Sequence, residues 1–212
     1  MKILPALLFV AILSLCGCGD GGKDRPGTSR TRVVQLRKTA NTNKYISAAR
    51  EFLSEERDDM IATDVMTLYA QMRMTNEFRE LGIRYATNSP TLLLEFADIA
   101  NNESWGAMRD EFALETAAKA NASYAELFRS ARFLVQGSRL DEAETVSRRL
   151  AREAVKRYQL EDTELLTCEI ALKRSKTPST VVETLTRLAN DAMMPQVRRD
   201  AWRMLSAIKK EE

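Results

Sequence analysis

Between Thr42 and Glu212 the chain carries only three glycines, Gly82, Gly106 and Gly137, and three prolines, Pro90, Pro178 and Pro195. A β-sandwich or barrel needs a tight turn about every 8–12 residues, and such turns draw heavily on Gly and Pro. This stretch cannot supply them. Apolar residues recur instead at spacings of three and four, as in Tyr45, Ala48, Ala49, Phe52, Leu53 and then Ile61, Val65, Leu68, Tyr69, Met72. That is the period of an amphipathic helix. The pattern predicts an all-α domain over 42–212, with ten helices at 43–56, 59–73, 76–87, 90–101, 104–120, 124–136, 139–158, 162–174, 180–191 and 196–209. Helices of this length joined by two to five residues form antiparallel neighbours. The expected architecture is a series of stacked antiparallel helical hairpins.

Local signals mark the helix starts. Each proline after residue 42 falls near a predicted start, where its missing N–H costs nothing. Ser123-Tyr124-Ala125-Glu126, Ser138-Arg139-Leu140-Asp141 and Thr180-Val181-Val182-Glu183 have the spacing of a capping box. The window from Leu127 to Ala151 resembles one tetratricopeptide repeat. Ala131 stands at the small first-helix position and Leu134 at the large one, and Gly137 to Ala143 matches the turn and the second-helix alanine. Ser147 and Leu150 depart from that pattern, and no proline closes the unit near Val155. Pro195 to Trp202 resembles, more faintly, the second helix of a HEAT-type repeat. These resemblances imply an α-solenoid of helical repeats rather than a compact bundle.

The N-terminus has a different character. Met1-Lys2 is followed by an almost unbroken aliphatic run from Ile3 to Leu15, and then by Cys16-Gly17-Cys18-Gly19-Asp20. A charged start, a short apolar core and a small-residue exit form the pattern of a secretory signal. The run is shorter than the ~20 residues that a helix needs to cross a bilayer. Leu15-Cys16-Gly17-Cys18 resembles the lipobox of bacterial lipoproteins, with Gly17 in the small-residue position before the modified cysteine. The resemblance implies cleavage after residue 17 and a lipid-modified, acylated Cys18. It also implies anchoring to a cell-envelope membrane, on its periplasmic side. Under the sorting rule of diderm lipoproteins, Gly19 points to the outer membrane; otherwise the outer face of the cytoplasmic membrane is implied. Residues 18–41 then form a lipidated tether. It carries six Lys or Arg from Gly19 to Ala40 against Asp20 and Asp24. This stretch is either a solvated flexible linker or a segment drawn to anionic lipid. Cys168 would be the one cysteine left unmodified, inside an apolar helical pattern and therefore expected to be a buried small hydrophobe.

Composition excludes much chemistry. The chain has no histidine, which removes Ser-His-Asp and Cys-His catalysis and imidazole metal sites. The part after the tether has no basic excess, so nucleic acid is not an expected partner. Neither a cofactor nor a metal is implied. Glu103-Ser104 followed by Gly106-Ala107-Met108 resembles the Glu-Ser of lytic transglycosylases, but the supporting Gly-Leu-Met-Gln segment is missing. It reads equally as a turn with Ser104 as N-cap. Glu55-Glu56 and Asp58-Asp59 fall at a helix junction, where acids favour the following N-terminus. Met60, Met66, Met72 and Met74 are either core filler or an adaptable groove. Arg148, Arg149, Arg152, Lys156 and Arg157 make a basic strip along one predicted helix, solvated by default and a docking face for an anionic partner otherwise.

The sequence therefore leads to an expected role as a membrane-anchored helical scaffold or accessory factor that binds another envelope protein or peptide. No catalytic residues are assigned. The alternative is an envelope lipoprotein that binds a small ligand or acts on peptidoglycan. Cells grown on labelled fatty acid should label this protein, and Cys18→Ala should abolish the label; a variant that keeps its label would refute the anchor.

Overall fold

The computed structural model describes residues 28–211 apart from residues 40, 87, 176 and 177. The signal segment 1–17, Cys18 and the tether as far as residue 27 lie outside the described residues. The described chain is all-helical: α1 (Arg30–Arg37), α2 (Thr42–Glu55), α3 (Asp59–Gln71), α4 (Thr75–Ala86), α5 (Pro90–Asn102), α6 (Gly106–Ala118), α7 (Tyr124–Gln136), α8 (Leu140–Glu153), α9 (Arg157–Lys173), α10 (Ser179–Asp191) and α11 (Pro195–Glu211). Among these residues none forms a strand, and no helix is long and apolar enough to cross a membrane.

Two departures from the predicted boundaries have clear causes. Residues 30–37, read from the sequence as part of a flexible tether, form α1. The Ser29 side chain accepts from the Arg32 N–H as N-cap, and Val33 is completely buried against the helices that follow. Sequence periodicity missed it because eight residues offer a single apolar turn. The predicted helix 139–158 is two helices, parted at Ala154–Lys156. Gln159 Oε1 accepts from both the Val155 and Lys156 N–H groups, 3.0 and 2.9 Å away, and so starts α9 early. Caps differ in the same way. Ser123 closes its box with Glu126 as expected. Ser104 and Ser138 instead adopt positive φ, 63° and 60°, in the turns before α6 and α8, whose N-caps are Trp105 and Arg139. The start of α10 is set by Pro178, with no side-chain cap from Thr180.

Each helix packs on its sequence neighbours, most extensively in the pairs α5–α6, α7–α8 and α10–α11. Second-neighbour packing follows one layer: α3 touches α5, α5 touches α7, α7 touches α9 and α9 touches α11. The even-numbered helices make no second-neighbour contact of comparable extent. A stack whose one layer is drawn together and whose other is spread is an α-solenoid, curved toward the odd-numbered helices. The helix pairs begin at residues 30, 59, 90, 124 and 157, so the structural repeat is 29 to 34 residues even though the sequence repeats only faintly.

Three buried clusters run along the stack. The first spans Val33 to Phe112 and centres on Phe78, Phe96 and Phe112, whose ring centroids lie 5.9 to 6.4 Å apart in tilted and edge-to-face arrangements. The second joins α7 and α8 to Leu166 and Ile170 of α9. The third joins Leu165 and Cys168 of α9 to α10 and α11. Residues 28–212 thus carry their own core. Gly82 is part of the first cluster, because a Cβ there would come within 2.5 Å of the Phe112 ring and 3.1 Å of Met66 Cε. Gly82→Ala should therefore lower stability by about 1–3 kcal/mol through overpacking, read by urea denaturation followed by circular dichroism; an unchanged midpoint would mean that the α4–α6 contact is loose.

Candidate interaction site

The curvature brings polar side chains of successive odd-numbered helices together. Arg37 Nη2 pairs with Asp64 Oδ1 at 2.5 Å, joining α1 to α3. The Tyr45 hydroxyl donates to the other Asp64 oxygen at 2.6 Å. Thr63 Oγ1 donates to Glu95 Oε2 at 3.2 Å, joining α3 to α5. Asp98 of α5 pairs with Arg129 of α7, and Arg132 Nη1 pairs with Glu169 Oε2 of α9 at 2.5 Å. The links between odd-numbered helices form a ladder whose partners stand 27 to 37 residues apart, close to the spacing of the helix pairs. Burial, and then the bond to Asp64, raises the Tyr45 pKa, so its hydroxyl stays a donor.

Between α7 and α9 the ladder opens into a recess of about 470 Å³ lined by Arg129, Arg132, Phe133, Gln136, Glu169 and Lys173. Lys173 Nζ donates to the Val135 carbonyl at 3.3 Å, which holds the ammonium at the recess wall. Three cations face two carboxylates, Asp98 and Glu169. Arg129 and Arg132 are about half exposed, at 50% and 53%. Exposed pairs of this kind contribute only about 0–1 kcal/mol each, so their guanidinium groups are available to another carboxylate at little cost. Phe133 gives the same recess an apolar wall.

A second surface follows α9 on the other layer. Because α8 and α10 lie apart, α9 forms the floor of a groove of about 270 Å³, lined by Ala151, Leu160, Glu164, Cys168, Val181 and four threonines. Cys168 is a free, buried cysteine. Burial, and then the Glu164 carboxylate, pushes its pKa up to about 11, so at neutral pH it is an unreactive thiol.

The basic strip expected from the sequence does not assemble as one face, because the break at 154–156 puts Arg157 on another helix. Arg148 pairs with Glu144 at 2.6 Å, and hydrogen bonds from Arg148 and then Arg174 hold the Glu144 carboxyl below its usual range. Arg149 turns to the end of α6, where Nη1 donates to the Ala117 and Lys119 carbonyls at 2.9 and 3.0 Å and Nη2 to Ala120. It satisfies carbonyls that the helix end leaves open. Arg157 does the same for α10, reaching the Asp191 carbonyl at 2.7 Å, and pairs with buried Glu161 at 2.8 Å. Arg152 is exposed. The exposed Lys156 lies 5.8 Å from the Tyr158 ring centroid.

Other sequence candidates also take structural positions. Glu103 is the C-cap of α5 and pairs with Arg73 at 3.0 Å, with Ser104 in the adjoining turn. Asp58 caps α3, its pKa lowered because bonds from Arg30 and the Ile61 N–H outweigh burial. The methionines divide: Met66 is fully buried, Met74 packs at the core edge, and Met60 and Met72 are exposed. Among the described residues, no three acidic or thiol side chains converge to hold a metal.

Sequence reading missed Arg129, Arg132 and Lys173, because they sit on different helices and their i, i+3 spacing on α7 is ordinary for a solvated face. It also missed the buried Arg109–Asp110 pair, 2.6 Å between Nη2 and Oδ1. Arg109 Nη1 reaches Asn101 Oδ1 at 3.2 Å, which also accepts from Gln136 Nε2 at 3.0 Å. Compared with family models, with curated proteins and with solved structures, the chain matches none. Arg149→Ala should cost about 1–3 kcal/mol by leaving the α6 carbonyls without a donor, whereas Arg152→Ala should change stability by less than about 0.5 kcal/mol. Equal effects in thermal denaturation would show that the cap carries no load.

Proposed function

We propose that the chain is a lipid-anchored scaffold of the bacterial cell envelope whose solenoid holds an extended acidic segment of a partner protein along its odd-numbered helices. The observation that carries this reading is the recess between α7 and α9, where Arg129, Arg132 and Lys173 surround an apolar wall at Phe133. An extended segment with a carboxylate and a neighbouring apolar side chain meets both features at once. Partner carboxylates would exchange with Asp98 and Glu169 on Arg129 and Arg132, whose guanidinium groups are half exposed. The anchor rests on the lipobox resemblance at Cys18, which would set the scaffold beside its partner at the membrane. The proposed role needs no cofactor, nucleic acid or catalytic residue. A second reading, binding of a small apolar ligand, is favoured by the groove along α9. That groove is smaller than the ~300–1,000 Å³ usual for ligand pockets, and it has no charged anchor free of a partner, since Glu164 pairs with Arg187 at 2.6 Å.

The test is site-specific photo-crosslinking of the full chain in its own envelope. A photoreactive residue at Gln136 should trap a discrete adduct, and one at Glu183, exposed on α10, should not. Arg132→Glu should reduce the Gln136 adduct by about tenfold, the scale of losing one charge-assisted contact. An adduct unaffected by Arg132→Glu would refute the acidic-segment reading.

A further inference from the structure

The odd-numbered helices all start, and the even-numbered helices all end, at the same edge of the solenoid. Successive turns along this edge lie between α2 and α3, α4 and α5, α6 and α7, α8 and α9, and α10 and α11. The first described residue is at this edge too. Thr28 Oγ1 donates to Glu51 Oε2 near the end of α2 at 2.7 Å, and Arg30 pairs with Asp58, the N-cap of α3, at 2.5 Å. The chain preceding residue 28 therefore leaves from this edge.

The last two turns of the edge have an unusual composition. Val155, between α8 and α9, is 88% exposed, and Met193 and Met194, between α10 and α11, are 53% and 44% exposed. The two turns are held side by side. Arg157 of α9 donates to the Asp191 carbonyl at 2.7 Å, and the Met193 N–H donates to Glu161 Oε2 at 2.8 Å. Arg198 donates to the Ala192 carbonyl at 3.0 Å, placing a further guanidinium at the same turn. Arg152 and Lys156 stand exposed beside Val155. Against these cations are Glu153, tied to Arg149 at 2.7 Å, Glu161, tied to Arg157 at 2.8 Å, and exposed Asp191. The local balance is positive. The turn between α2 and α3, in contrast, holds Glu55 and Glu56.

We propose that the edge formed by Val155, Met193 and Met194, with Arg152, Lys156 and Arg198 around them, rests on an anionic lipid bilayer. Exposed aliphatic tips surrounded by Lys and Arg match the two terms that hold a protein at a bilayer interface, burial of apolar side chains and attraction to anionic headgroups. The position of the chain exit agrees. A chain from residue 18 to residue 28 spans at most about 35 Å, so a lipid on Cys18 would keep the α1 end of this edge near the membrane. Contact here would leave the recess between α7 and α9 open to a partner. The lipid contact does not depend on the anchor, and it can be tested without it.

The test uses residues 28–212, which carry the three buried clusters of the described residues and lack Cys18. In low salt this domain should co-sediment with vesicles of phosphatidylglycerol and phosphatidylcholine in equal parts. It should bind phosphatidylcholine vesicles at least about tenfold more weakly, and salt should weaken binding to the anionic vesicles. Val155→Asp combined with Met193→Asp should reduce the fraction bound by about tenfold, with an unchanged helical spectrum because both side chains are exposed. Lys156→Glu, which leaves the apolar tips in place, should reduce it by less. A domain that ignores anionic vesicles, or a double variant that binds as the parent does, would overturn the proposal.

Discussion

The contact on which the stack depends is the approach of Phe112 to the backbone of Gly82. Phe112 belongs to α6 and Gly82 to α4, yet the ring sits where a Cβ would stand. That clearance lets Phe78, Phe96 and Phe112 meet as one cluster, with Trp105 set edge-on to Phe78 at 5.3 Å. A single helical hairpin has an apolar face it cannot bury by itself. Here three consecutive helices bury theirs around one group of rings, and the stack is propagated from both sides of it. Aromatic rings supply most of the buried area in such a cluster, and their edge-to-face geometry specifies how the helices cross.

Polar groups then register the layers. Arg109 and Asp110 are both buried in α6, and their charges are matched within one ion pair extended to Asn101 of α5 and Gln136 of α7. The Asp110 carboxylate lies so close to Gly137 that any side chain there would overlap it. A buried pair of this kind adds little net stability, but its loss on one side leaves a costly unpaired charge. Through Asn101, which accepts from both Arg109 and Gln136, it links α5, α6 and α7. On the odd-numbered layer the ladder of exposed pairs works differently. Its rungs are individually weak and open to exchange, which is the property that the proposed docking of an acidic segment relies on.

Much of this was visible in the amino-acid order and much was not, for identifiable reasons. Scarce Gly and Pro and a 3.6-residue period gave the helices from 42 onward, mostly within a few residues. Cys168 was legible as buried because its neighbours are apolar at helical spacing. The end of α8 at Glu153 was not legible, because Ala154-Val155-Lys156 has no turn residue and the break depends on one side chain, Gln159. The five-residue basic strip looked like a face only while 139–158 was read as one helix. Once divided, Arg149 and Arg157 are helix caps on neighbours 29 to 34 residues away, a role set by spatial proximity.

By itself the sequence determined the helical class, the stacking of hairpins and the lack of histidine chemistry, because these follow from local propensity, periodicity and residue types. Its N-terminal pattern also carries the lipobox resemblance. Only the tertiary structure decided which layer is drawn together, which arginines cap and which remain available, and that Val155 and Met193 share an edge with the departing chain. Those outcomes depend on side chains far apart in sequence meeting across helices, and no local pattern encodes such a meeting.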